Sequence, residues 1–250
     1  MDLGIGGRTA LVMGASSGIG RGVAAALARE RARDGIASSS RERITAAAGE
    51  IDGEVAAFVA DTDDIDRLAR LPAEVADALG PIEILVTNTG GPPLGGTLDH
   101  PREDWDAAYR ALVLAPRTLI DSVLPGMRER RWGRIVNVGS SSMREPIPGL
   151  ALSNAHRMAA IGLFKTLASE VASDGITVNT VATGRFATQR VADSSGSLEQ
   201  AEERARIDVP AGRLGTPEEY GDLVAFLCSD RAAYLTGTVI PLDGGLLRSA

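Results

Sequence analysis

The residues best placed for chemistry stand near the N-terminus. Gly14-Ala15-Ser16-Ser17-Gly18-Ile19-Gly20 follows a short apolar run, Thr9–Met13, and precedes a helical pattern. Glycines at such a turn let the backbone approach a pyrophosphate closely. The helix that follows offers free N–H groups and the positive end of its dipole. At a first strand-to-helix junction this pattern points to a bound dinucleotide. A tight turn that only packs is the plainer reading of the same glycines. A second group, Ser38-Ser39-Ser40-Arg41, follows the second strand. An acidic residue there would accept hydrogen bonds from both ribose hydroxyls of NAD and repel a 2′-phosphate. Hydroxyls and a guanidinium suit a phosphate instead, so the sequence favours NADP over NAD. The plainer alternative is a serine-rich turn with Arg41 in solvent. Asp34 stands too early, near the strand start, to take the acidic part.

Other chemistries find little support. His100 and His156 are far apart and show no metal-ligand spacing. The single cysteine, Cys228, excludes an internal disulfide and a site built on several thiolates. Of 26 lysines and arginines only Lys165 is a lysine, so a catalytic lysine has one place to be. A net charge of −7 argues against a nucleic-acid or anionic-membrane partner. No apolar run approaches the ~18 residues of a membrane span. The first residues lack the basic start and apolar stretch of a signal peptide. The expected location is therefore the cytoplasm and the expected ligand a small molecule.

The elements that must position these residues alternate. With 250 residues, 44% of them hydrophobic and 24% charged, the chain suits one large α/β domain. Strands are expected at 9–13, 36–39, 54–59, 84–87, 134–138, 177–181 and 238–242. Helices are expected at 18–31, 41–51, 63–79, within 104–131, at 153–173, and from 216 to about 229. The last opens with Thr216-Pro217-Glu218-Glu219, a capping box with proline at the first helical position. Such alternation predicts a Rossmann-like, doubly wound sheet of about seven parallel strands, covered by helices on both faces. A sheet of this kind binds ligands beyond the carboxyl ends of its strands. Residues 185–209 interrupt the pattern. They read either as a mobile, lid-like insertion over the site or as an ordered surface excursion.

Nearly the whole chain resembles the short-chain dehydrogenase/reductase family. The resemblance rests on the glycine turn, Leu85-Val86-Thr87-Asn88-Thr89-Gly90-Gly91, Gly133-Arg134-Ile135-Val136-Asn137-Val138-Gly139-Ser140 and Gly175-Ile176-Thr177-Val178-Asn179. Pro210-Ala211-Gly212-Arg213-Leu214-Gly215 and Leu242-Asp243-Gly244-Gly245 are similar to its C-terminal signatures. Among members, the 3-oxoacyl-[acyl-carrier-protein] reductases are especially similar. The resemblance implies that Gly14, Ser16, Ser17, Gly18, Ile19 and Gly20 hold the pyrophosphate and that Ser39 and Arg41 meet the 2′-phosphate. It gives Asp61 the adenine amino group and Thr62 the adenine pocket. Asn88 and Gly90 lie along the adenosine ribose, and Gly184 and Thr188 meet the nicotinamide and pyrophosphate. It also implies a homotetramer built on the two long helices and the C-terminal strand. Ala155, Ala159 and Gly162 place small residues along the second of those helices, suited to close packing between subunits or inside the monomer.

The family's chemistry uses a serine, a tyrosine thirteen residues later and a lysine four further on. Ser140 fits the serine, but the count reaches Ser153 and then Arg157. Leu112 replaces a usual asparagine and Thr183 a usual proline. A serine hydroxyl is a far weaker acid than a phenol, and shorter. Arg157 keeps a positive charge, can bind ribose hydroxyls and can stabilise a developing alkoxide, but cannot relay a proton. His156 is the nearby imidazole but faces elsewhere on the helix, and Tyr109 and Lys165 are weaker candidates. The leading expectation is an atypical NADP(H)-dependent oxidoreductase acting on a carbonyl, alcohol or conjugated enone. Ser140, Ser153 and Arg157 would be its catalytic residues, with Arg157 also binding cofactor. The alternative is a catalytically silent dinucleotide-binding sensor or scaffold subunit. A non-redox dehydration or isomerisation ranks below both.

Overall fold

A computed structural model describes residues 2–249. Seven strands form one parallel sheet: β1 Thr9–Met13, β2 Arg33–Ser38, β3 Glu54–Val59, β4 Ile82–Thr87, β5 Gly133–Val138, β6 Ile176–Thr183 and β7 Val239–Leu242. Their spatial order is β3-β2-β1-β4-β5-β6-β7, so the order reverses between β1 and β4. That switch point opens a crevice beyond the carboxyl ends of the strands. The helices are α1 Gly18–Arg29, α2 Arg41–Glu50, α3 Ile65–Leu79, α4 Arg102–Tyr109, α5 Ala115–Arg130, α6 Ala151–Val171, α7 Gln189–Ser195, α8 Leu198–Asp208 and α9 Pro217–Leu227.

The sheet separates two apolar layers. One joins Val12, Ile36, Val136 and Val181 to Val23 and Leu27 of α1, Ile44 of α2 and Val224 of α9. The other joins Leu11, Leu85 and Ile135 to Leu71 of α3, Leu119 of α5 and Phe164 of α6. Runs such as the fully buried TALVM of β1 are apolar on both faces because helices cover both. The helices α1 and α9 cross closely, with Gly22 against Pro217 and Gly221. Larger side chains at these glycines would push the phosphate-binding helix off its support.

Several elements differ from expectation in their bounds. The second strand runs from Arg33 rather than from Ile36, and includes Asp34 and Gly35. Both are poor strand formers, but pairing with β1 and β3 on either side overrides propensity. The long middle helix is two helices joined by a π turn at Arg110–Leu114. The sixth strand extends to Thr183, and α6 begins at Ala151 rather than at Ser153. The segment 185–209 contains two helices, α7 and α8. Their apolar side, with Val191, Ala201, Ala205 and Val209, packs with Leu214 and Leu246 in a small core of its own.

Candidate active site

The first wall of the crevice is the glycine turn. Leaving β1, the chain adopts φ +60° at Gly14 and φ +54° at Gly18, values that favour glycine. A Cβ on Gly20 would overlap the Gly14 carbonyl. From the end of β4, Asn88 donates through Nδ2 to the Gly14 carbonyl at 3.2 Å, clamping the turn across the switch point. Ser17 is the N-cap of α1 but makes no side-chain capping bond, and the first turn contains no acidic residue. The helix therefore keeps its N–H groups for an anion. Ser16 and Ile19 are partly buried and Ser17 is exposed. The Thr188 methyl lies 3.2 Å from where a Cβ on Gly18 would be, so this residue closes over the turn from the opposite wall. The cradle fits the pyrophosphate of a dinucleotide.

At the end of β2 an open cavity of about 470 Å³ is lined by Ser39, Arg41, Asp61, Asp64 and Arg67. Only one of the three expected hydroxyls remains for a ligand. Ser38 is buried and donates to the Ser40 carbonyl at 3.4 Å, and Ser40 accepts from the Arg43 N–H at 3.3 Å as the N-cap of α2. Ser39 and Arg41 are exposed. Among the described residues Arg41 enters no ion pair, whereas Arg67 is held by both carboxylate oxygens of Glu74 at 2.8 Å. Arg41 and Ser39 thus fit an added phosphate. Asp61 accepts from the Asp63 N–H at 3.1 Å, beside a half-buried Thr62. Gly90 is exposed with open space around it. Gly184 has an internal reason to be glycine, because a Cβ there would meet Asp243.

The other end of the crevice lies beyond β5. Ser140 opens a 3-10 turn, Ser141–Met143, and its Oγ accepts from the Ser142 N–H at 3.1 Å. Ser142 and Ser153 bring their hydroxyl oxygens to 3.5 Å, with Ser153 buried at 7% exposure. One turn along α6, Arg157 donates through Nη1 to the Val138 carbonyl at 3.1 Å. Burial lowers the guanidinium pKa to about 10; the Tyr220 phenol opposes that shift and Arg190 adds to it. Arg157 therefore stays charged at neutral pH. Ser142 links Ser140 to Ser153, and Arg157 holds the Val138 carbonyl two residues before Ser140, so all three stand at the carboxyl end of β5.

The remaining candidates fall away from it. His156 bonds through Nδ1 to the Leu152 carbonyl at 2.8 Å and packs against the Trp105 ring at 5.5 Å and the Tyr109 ring at 6.4 Å. Tyr109 is exposed on that same outer face. Lys165 donates to the Gly237 carbonyl at 2.7 Å, and Leu112 is buried within the π turn.

Two residues at the crevice escape a motif search. Tyr220, fully buried on α9, shares a 2.9 Å hydrogen bond with Thr183 and meets Phe186 edge-on at 5.2 Å. Burial raises the pKa of its phenol, which remains neutral. Its position four residues into the capping-box helix was the available signal for a buried face. Arg190 of α7 donates to the carbonyls of Gly91 and Pro92 at 3.2 and 3.3 Å, spanning the crevice. Nothing in its local sequence announces that reach.

Comparison with known proteins agrees with this geometry. Residues 14–247 match the family model described as Enoyl-(Acyl carrier protein) reductase. The 3-oxoacyl-[acyl-carrier-protein] reductase FabG of Thermotoga maritima is 34% identical over 244 residues, covering 96% of this chain and 98% of that one. The L-sorbose reductase of Gluconobacter frateurii, solved with NADPH and L-sorbose, superposes with a TM-score of 0.95 at 29% identity over 100% of both chains. YwfH, an NADPH-dependent reductase involved in bacilysin biosynthesis, superposes with a TM-score of 0.91 at 29% identity, covering 97% of this chain and 99% of that one. A match this extensive makes the chain a member of the short-chain dehydrogenase/reductase family and an oxidoreductase by descent.

Proposed function

We propose that the protein is an NADP(H)-dependent reductase of a carbonyl compound, with an altered proton-handling site. The observation that carries the reading is the glycine turn, clamped by Asn88 and followed by an uncapped helix N-terminus. Arg41 and Ser39 favour NADP over NAD by offering a guanidinium and a hydroxyl where an acidic residue would repel a 2′-phosphate. When bound, NADPH supplies a hydride. The chain's own residues then have three tasks. Ser140 and Ser153 orient the carbonyl oxygen by hydrogen bonds. Arg157 binds ribose hydroxyls and stabilises negative charge developing on that oxygen. Water held by the hydroxyls of Ser140 and Ser153 would relay to that oxygen a proton taken from bulk solvent, since neither hydroxyl is acidic enough to give up its own. On this reading α7 and α8 form a lid over the crevice, and the working form is a cytoplasmic homotetramer.

Titration calorimetry with NADPH and NADH, followed by NADPH oxidation over a panel of ketones, oxo acids, β-ketoesters and enones, tests the reading. Turnover with a preference for NADPH is the expected result. Tight NADPH binding with no turnover across the panel would instead indicate a silent dinucleotide-binding subunit.

A further inference from the structure

Tyr220 is a fully buried phenol at the crevice for which the proposed chemistry has no task. A phenol in an apolar core needs a partner for its hydroxyl. Among the described residues it has one, the Thr183 hydroxyl at 2.9 Å. The stretch that follows Thr183 does not need this bond to stay in place. The Gly215 N–H donates to the Arg185 carbonyl at 2.9 Å, and the Ala187 N–H donates to the Gly215 carbonyl at 2.8 Å. The Phe186 ring sits where a Cβ on Gly215 would be. The Thr183 backbone is itself paired with β7, opposite Leu242. What the phenol hydroxyl adds is therefore the setting of one side chain, that of Thr183.

The direction of the bond follows from burial. Each hydroxyl has one proton, and only one of the two protons can lie between the oxygens. The phenol is sealed off, so its proton goes to Thr183 Oγ1 or to nothing. Thr183 is half-buried at the carboxyl end of β6 and can turn its own proton into the crevice. The Arg157 guanidinium favours the same direction, because a positive charge attracts the phenol oxygen and repels its proton. A proline at this position, as the family resemblance implies, would offer no such donor. The crevice decides what the donor meets. With the pyrophosphate at the glycine turn and the 2′-phosphate at Arg41 beside β2, the other half of a dinucleotide runs the opposite way, across β4 and β5 toward β6.

We propose that Thr183, oriented by Tyr220, donates a hydrogen bond to the carboxamide oxygen of the nicotinamide and so fixes how the ring is turned. The inference rests on the reductase reading and adds two residues to its cofactor site. The carboxamide is the polar substituent of the nicotinamide ring, and its carbonyl oxygen is the acceptor that a single neutral hydroxyl suits. Thr183 touches the cofactor. Tyr220 is a positioning residue and acts only through Thr183.

The test is calorimetry on the full chain with NADP+ and with its thionicotinamide analogue, in which sulfur, a weaker acceptor, replaces the carboxamide oxygen. The native protein is expected to bind NADP+ roughly twofold to tenfold more tightly than the analogue, the range one neutral hydrogen bond supports. In Thr183→Val that ratio falls toward one, while Thr183→Ser, which keeps the hydroxyl, retains it. Tyr220→Phe lowers the ratio part of the way, and changes nothing further when Thr183 is already valine. Thermal unfolding checks each fold. Thr183→Val strands the phenol, so the double variant Thr183→Val, Tyr220→Phe, which removes both hydroxyls, replaces it if the single variant unfolds. A ratio that survives the loss of the Thr183 hydroxyl overturns the inference, and so does a Tyr220→Phe effect that persists without that hydroxyl. The two readings fail separately. Binding and turnover with an unchanged ratio sink this inference and leave the reductase standing. A ratio that falls as expected, with no turnover on any carbonyl compound, sinks the reductase and leaves the hydrogen bond.

Discussion

At the scale of single residues, two groups that lack a partner among the described residues make sharp predictions. Arg41 is one of them, at the cavity assigned to the 2′-phosphate. Arg41→Ser is expected to raise the Kd for NADPH by roughly tenfold to a hundredfold while changing NADH little, because only NADPH carries the lost contact. Calorimetry with both dinucleotides checks this, and an equal loss for both would contradict the assignment. Asp34 is another. It is fully buried in β2 with neither carboxylate oxygen hydrogen-bonded among the described residues, and burial raises its pKa well above the ordinary carboxylate range. The folded protein thus holds a proton that the unfolded chain releases. The associated stability is full below the ordinary carboxylate pKa and is lost as pH rises toward the folded value. The slope in that window is about 1.4 kcal/mol per pH unit. Asp34→Asn should remove it, so urea unfolding from pH 5 to 8 should diverge between variant and native protein. Parallel profiles would show that Asp34 is ionised in the fold. The sequence located Ser140, Ser153 and Arg157 by counting from fixed motifs. It could place Asp34 but not reveal that it is sealed off.

At the scale of elements, legibility followed the strength of local signals. The strand–turn–helix at 9–20 and the capping box at 216–219 declare themselves through glycine, proline and paired polar residues. The box is realised in full: the Glu219 N–H donates to Thr216 Oγ1 at 3.3 Å and the Thr216 N–H donates to Glu219 at 2.9 Å. Arg213 and the Thr216 N–H hold the Glu219 carboxyl down at about 2. Thr216→Ala should cost about 1 kcal/mol in denaturant unfolding. It should also loosen α9, which carries Tyr220 beneath Thr183, and an unchanged midpoint would mean that the cap is redundant with the packing of α9 on α1. The missed elements lacked such signals. The π turn at 110–114 follows from packing rather than from a residue pattern. The start of β2 was hidden because Asp34 and Gly35 are strand residues only by virtue of their neighbours on both sides. The helices α7 and α8 bury a side made of small residues and two valines, too weak a stripe to announce a helix.

At the scale of the whole molecule, the proposed tetramer would cover two exposed apolar side chains. Tyr109 and Met158 are 45% and 51% exposed, on α4 and α6. If these helices pair between subunits, as family resemblance suggests, the native protein should run as a tetramer in light scattering. Met158→Glu, which would bury a charge at that face, should shift it toward dimers. A native monomer would remove the assembly from the account. Among the described residues no helix is long and apolar enough to cross a membrane.

We propose that this short-chain reductase turns over with Ser153 and Arg157 at the positions where the family resemblance implies a tyrosine and a lysine. The most direct test measures NADPH oxidation over the carbonyl and oxo acid panel for the native protein beside the double variant Ser153→Tyr, Arg157→Lys. The account predicts measurable turnover by the native protein, reduced when Arg157 is changed to Gln. Full NADPH binding with turnover appearing only in the double variant would contradict it.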